Sequence, residues 1–243
     1  LDLEAGFVLA RPDGERLIGL GSGSSPRRER ILVVRRAAGS FDVRSVDAHA
    51  LYASLRELTD FAGSELNVEG ACVAAGGAVV RLFNRGNGAP ADGRLPVDAT
   101  CELDAGELLR WLEGERGEPP RPRDVVAYDL GVVDGVRLTF TDAEAFRDGV
   151  LYVAAAEDSP DAVRDGPVAG VVLGMIEPAG ARWTRVLDER GKPLAEKIEG
   201  VVGDRDDTRR VFAVVDADDP DLPASLLELA LEGAGGPASL AAG

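Results

Sequence analysis

Histidine is nearly missing from this sequence. Among 243 residues there is one, His49, alongside one methionine, Met175, and two cysteines, Cys72 and Cys101. A single imidazole excludes zinc sites built on two or three histidines, the HExxH arrangement included. Serine catalysis also lacks a well-placed base, because His49 falls in or beside a predicted helix and no GxSxG elbow occurs. The cysteine spacing fits neither a zinc ribbon nor a redox motif. Both cysteines read as small buried residues, with a disulfide as the alternative. No apolar run approaches the ~20 residues that span a bilayer.

Positive charge is also short. Lys and Arg number 27 against 43 Asp and Glu, a formal net charge of −16, and no long basic cluster offsets it. Such a chain repels phosphate backbones and anionic lipid heads, so neither nucleic acid nor a membrane is an expected partner. The opening Leu1-Asp2-Leu3-Glu4 has no basic region ahead of an apolar stretch and no initiator Met. The expectation is a chain cut from something longer or processed, cytoplasmic rather than exported, with export left open.

What is present is enough apolar surface for a core, 45% of residues, in a length that suits one large all-β unit. Four segments align as repeats. They are Asp2-Leu3-Glu4-Ala5 leading to Gly21-Ser22-Gly23-Ser24, Asn67-Val68-Glu69-Gly70 leading to Asn84-Arg85-Gly86-Asn87, Asp142-Ala143-Glu144-Ala145 leading to Ala156-Glu157-Asp158-Ser159, and Lys197-Ile198-Glu199-Gly200 leading to Asp216-Ala217-Asp218-Asp219. Each reads as Glu, then Ala or Gly, an apolar stretch, a polar turn, a second apolar stretch and a polar cluster. Pro12-Asp13-Gly14, Gly76-Gly77, Asp148-Gly149 and Asp204-to-Thr208 supply the reversals. Further strands are predicted over 30–36, 41–46, 95–103, 124–130, 169–177, 181–187 and 224–231, so the last unit offers three strands.

Four antiparallel strands per unit, repeated, predict an all-β fold of the β-propeller class. A single propeller domain is expected over residues 1–232, lacking an N-terminal strand or blade, with a flexible tail over 233–243. The expected parent has five blades, with six the alternative. Two short helices interrupt the pattern. One lies over 47–58, with Leu51, Leu55 and Leu58 on one face. The other lies over 104–113, opened by the capping pair Asp104 and Glu107.

The repeated glutamates carry the functional reading. If each lies on an innermost strand, Glu4, Glu69, Glu144 and Glu199 approach one axis, where their mutual repulsion calls for a neutralising partner. A hard divalent cation bound by oxygen is one, Ca²⁺ being favoured over Mg²⁺. Asn67, Asn84, Asn87, Asp142, Glu157, Asp158, Asp216 and Asp218 add oxygen donors near the same blade ends, for the ion or for a small polar ligand. The alternatives are that the glutamates clip one blade to the backbone N–H groups of the next, or that they only transfer protons. With a cation bound, Glu69 and Glu199 would be the catalytic candidates in metal-assisted hydrolysis of a lactone or ester. Without it, the chain is a non-catalytic scaffold for a partner or ligand. The Gly19-to-Ser25 run has no phosphate-loop lysine and reads as a strand reversal. The acidic run from Asp216 to Asp221 fails the EF-hand pattern at its Gly and Glu positions.

The Glu4-Ala5, Asn67-Val68-Glu69-Gly70 and Lys197-Ile198-Glu199-Gly200 openings, together with their partner clusters, resemble an uncharacterised bacterial β-propeller family over about residues 1–232. More distantly they are similar to phytase-like esterases and to gluconolactonase and strictosidine-synthase type propellers. That resemblance implies a ligand, and often a divalent metal, at one mouth of a channel.

Overall fold

The computed structural model describes residues 3–37, 39–158, 166–178, 180–216 and 223–232. The expected all-β, β-propeller class holds. Four small antiparallel sheets, the blades, account for every strand among the described residues. They fall into two compact units, one up to Tyr128 and one from Asp129 onward, with two blades in each.

In the first unit, blade 1 is the meander β1 (Ala5–Leu9), β2 (Arg16–Leu20), β3 (Arg30–Ala37) and β4 (Ser40–Asp47). Helices α1 (His49–Glu57) and α2 (Thr59–Ala62) lead to blade 2. That blade is β5 (Val68–Ala74), β6 (Val79–Asn84), β7 (Asp98–Asp104) and β8 (Arg123–Tyr128), with α3 (Ala105–Leu112) between its last two strands. Strand alternation sends Phe7, Ile18, Ile31 and Val33 of blade 1 into a core shared with Leu82 and Leu103 of blade 2. The helical residues Leu51, Tyr52, Leu55, Leu108 and Leu112 complete that core. The start of α3 is fixed as its sequence implies, the Asp104 carboxylate accepting the Glu107 N–H at 2.8 Å.

The Gly/Ser run is the reversal between β2 and β3, and α1 holds it in place. The Tyr52 hydroxyl donates to the Gly21 carbonyl at 2.5 Å, and Arg56 donates to the Gly23 carbonyl at 2.6 Å. Gly23 has φ +72°, and a Cβ there would lie 2.3 Å from the Tyr52 ring, so the position requires glycine. His49 opens α1 with its side chain 72% exposed, and its Nδ1 lies 2.5 Å from the buried Glu29 carboxylate. Cys72 and Cys101 are buried and free, as the simpler sequence reading has it.

The second unit holds blade 3, a sheet ordered β13 (Gly180–Arg185), β12 (Val168–Glu177), β11 (Gly149–Glu157), β10 (Val136–Phe146) and β9 (Val132–Val133). Blade 4 is β14 (Ile198–Gly203), β15 (Arg210–Val215) and β16 (Ser225–Ala230), the three strands its sequence offers. The unit's core joins Phe146, Leu151, Val153 and Leu173 of blade 3 to Ile198, Val201 and Val211 of blade 4. Gly203 permits this approach, because a Cβ there would meet the Phe146 ring at 2.2 Å.

The third repeat is shifted relative to its sequence alignment. The strand pairing skips one residue at Glu69 in β5, at Glu199 in β14 and at Thr141 in β10. These are β-bulges at corresponding places in the first long strand of three blades. The blade 3 counterpart of Glu69 and Glu199 is therefore Thr141, and Glu144 lies farther along the same strand. The proposed tail, residues 233–243, lies outside the described residues.

Candidate functional site

A bulge leaves one residue out of the ladder and turns its side chain away from the regular alternation. In blade 2 that residue is Glu69, which is 6% exposed. The Asn67 amide donates to Glu69 Oε1 at 2.7 Å and to Asn87 Oδ1 at 3.2 Å. The Arg85 guanidinium, itself buried, lies 3.7 Å from the same Glu69 oxygen. Asn84 closes the node, accepting the Asn67 N–H at 2.7 Å and donating to the Val97 carbonyl at 2.8 Å. Asp98 accepts the Gly86 N–H at 3.1 Å. Three residues expected to form a site, Glu69, Asn84 and Asn87, are thus brought together, and Asn67 links them. Asn67 Oδ1 is buried and has no hydrogen-bond partner. A buried acceptor of this kind has capacity for one donor from a small polar molecule. Arg85 is the functional residue that composition and spacing do not single out, and its one signal is its place between Asn84 and Gly86 just after β6.

Glu4 stands apart from this node. It lies just ahead of β1, donates its N–H to the Leu20 carbonyl at 2.9 Å and meets Arg28 at 3.4 Å.

In blade 4 the bulge residue Glu199 meets Lys197 Nζ at 2.8 Å, and the same ammonium lies 3.7 Å from the buried Glu157 carboxylate. Glu157 also accepts the Gly166 N–H at 2.7 Å, and the exposed Asp158 donates its own N–H to the Pro167 carbonyl at 3.1 Å. Lys197 thus draws together two of the expected residues, Glu157 and Glu199. Asp216 follows the end of β15, whereas Asp218 lies outside the described residues.

Glu144 does something different. Asp142 and Glu144 stand two apart on β10, and their carboxylates accept the N–H groups of Val201 and Gly203, two apart on β14, each at 2.8 Å. This is a side-chain ladder from blade 3 to the first strand of blade 4. Burial raises the Asp142 carboxyl to about 7, with the Val201 N–H opposing and the charges of Glu144 and Glu199 adding to the rise. Burial also raises Glu144, against the lowering effects of the Gly203 N–H and Arg205. Thr141 Oγ1, at the bulge beside Asp142, is buried and unpartnered.

Among the described residues, no group of three or more His, Cys, Asp or Glu side chains is arranged to hold a metal ion. The carboxylates instead find arginine, lysine, amide or backbone donors. No helix among the described residues is long and apolar enough to cross a membrane. A sequence-family model described as a family of unknown function (DUF6910) matches residues 1–220, and the chain belongs to that family. No curated protein matches the chain.

Proposed function

For a member of this family, we propose a β-propeller binding scaffold whose repeated carboxylates are structural and which takes a small polar ligand at the Asn67–Glu69–Arg85 node. Glu144 clips blade 3 to blade 4, and the others are satisfied within their own blades. One observation carries the reading: each repeated glutamate is already met by a donor of this chain. Glu4 meets Arg28, Glu69 meets Asn67 and Arg85, Glu144 meets the Gly203 N–H, and Glu199 meets Lys197. Carboxylates so partnered need no added cation to offset their charge.

The blade-clip part is tested at Glu144. A glutamine keeps a carbonyl that can accept the Gly203 N–H, whereas an alanine does not. Glu144→Ala should lose about 1 kcal/mol of stability in urea denaturation and Glu144→Gln only a few tenths, the value of one hydrogen bond. Equal losses for the two variants would show that charge, not hydrogen-bond acceptance, is what Glu144 supplies.

A second reading is cation-assisted hydrolysis of a lactone or ester, with Ca²⁺ as the cation and Glu69 and Glu199 as catalytic residues. Its support is the repulsion that Glu144 and Glu199 exert on Asp142, which a divalent cation would relieve. Turnover of a lactone and ester panel that depends on Ca²⁺ and is lost in both Glu69→Gln and Glu199→Gln would establish it. Turnover unchanged in those variants would remove it.

A further inference from the structure

The chain has three asparagines, Asn67, Asn84 and Asn87, and no glutamine. All three meet in the node where β5 begins and β6 ends. They differ in the residue that follows and in where its N–H goes. After Asn67 comes Val68, whose N–H donates to the Ser22 carbonyl at 2.8 Å. After Asn84 comes Arg85, whose N–H donates to the Asn67 carbonyl at 2.8 Å. Both of these asparagines are wholly buried. After Asn87 comes Gly88, and its N–H has no acceptor among the described residues. Asn87 and Gly88 are half-buried, in a stretch with neither helix nor strand, so water reaches them.

An asparagine side chain is an amide that its own backbone can attack. The nucleophile is the nitrogen of the next residue, which must be unengaged and uncrowded. Valine and arginine side chains crowd it, whereas glycine has no Cβ to do so. Packing also favours glycine at position 88, because a Cβ there would lie 2.7 Å from Glu65 Oε2 and 3.1 Å from Glu65 Cβ. As the nitrogen adds to Cγ, negative charge develops on Asn87 Oδ1. That oxygen already accepts an N–H of the Asn67 amide at 3.2 Å, a donor standing where the oxyanion forms.

We propose that Asn87 is a spontaneous modification site of the folded chain, closing on Gly88 to a cyclic imide that water opens to aspartate or isoaspartate. The Gly88 nitrogen bonds to Asn87 Cγ and gives up its proton. The Cγ–Nδ2 bond breaks, and ammonia leaves with that proton. Water then adds to Cγ and releases the Gly88 nitrogen, giving aspartate. Added instead to the main-chain carbonyl carbon of residue 87, it gives isoaspartate, with the chain routed through Cγ. The net change is amide plus water to carboxylic acid plus ammonia, with nothing oxidised or reduced. It leaves a second carboxylate on the Asn67 amide that serves Glu69, whether or not a ligand binds at the node.

Site-resolved mass spectrometry tests this on folded protein aged in mildly alkaline buffer and then digested. The tryptic peptide 86–94 holds Asn87 as its one carboxamide side chain. The folded chain should convert Asn87 at a rate within about tenfold of the same chain held unfolded in urea, while Asn67 and Asn84 stay intact. Suppression of Asn87 conversion by more than about tenfold in the folded chain overturns the proposal, as does conversion of Asn67 or Asn84 there at the same rate. Gly88→Ala should slow the conversion in urea too, where packing plays no part. An unchanged rate in that variant would mean that residue 88 is not the nucleophile.

Discussion

Blade 2 and blade 3 each bury an acidic side chain at or beside the bulge of a first long strand, and they compensate it by opposite means. In blade 2, Glu69 is charged against charge, with Arg85 at 3.7 Å and the Asn67 amide at 2.7 Å. In blade 3, Asp142 accepts the Val201 backbone N–H, and burial lifts its carboxyl to about 7. The first arrangement fails if either partner is removed. The second keeps a proton to lower its own cost, and so ties stability to pH. A repeated acidic position is thus a repeated electrostatic problem rather than a repeated chemical role.

The largest effect should come from breaking the charge pair of blade 2. Arg85→Leu leaves the buried Glu69 carboxylate without its guanidinium and should cost about 3–5 kcal/mol in urea denaturation. Adding Glu69→Gln to that variant should recover part of the loss, since the remaining amide no longer carries charge. If the double variant is no more stable than Arg85→Leu, the pair is not what Arg85 supplies.

Next is the proton on Asp142. In the unfolded chain this carboxyl titrates near 3.8 and in the folded chain near 7, so between those values the native state holds the extra proton. The stability that this proton confers is complete below about 3.8 and is lost as pH rises through about 7. Asp142→Asn keeps an acceptor for the Val201 N–H and removes the ionisation. Its melting temperature should match the wild type in acid and exceed it above neutrality, by roughly 2–4 °C for each kcal/mol regained. Parallel pH profiles for the two proteins would refute the assignment.

The smallest of these three effects is expected at the helix cap, which belongs to neither arrangement. Asp104→Ala removes the acceptor for the Glu107 N–H and should cost about 0.5–2 kcal/mol in urea denaturation at neutral pH.

Much of this architecture was legible in the sequence. Strand alternation and turn residues marked the meanders, and the Asp104–Glu107 pair marked α3 within a residue at each end. The Asn67-Val68-Glu69-Gly70 and Asn84-to-Asn87 motifs do meet in space, because β5 and β6 are hairpin neighbours whose ends pair, Val68 opposite Asn84. The third repeat was misaligned for a physical reason. A β-bulge is a pairing irregularity with no composition of its own, and Thr141 occupies it in blade 3, while Asp142-Ala143-Glu144-Ala145 imitates the Glu-Ala openings elsewhere. The partner of the Gly/Ser reversal was equally hidden, since Tyr52 reaches Gly21 and Gly23 from a helix that local pattern cannot orient. The basic partners Arg85 and Lys197 lie inside the same motifs as the carboxylates, but an arginine or lysine there has no spacing that distinguishes it from a solvated surface cation.

The central claim is that this chain's own donors satisfy its repeated carboxylates. Calorimetric titration of CaCl₂ into chelator-treated, intact protein tests it most directly. The account predicts only heats of dilution and a melting temperature unchanged by Ca²⁺. A saturable isotherm that disappears in Glu69→Gln or Glu199→Gln would contradict it and would place a cation where the arginine and lysine partners now stand.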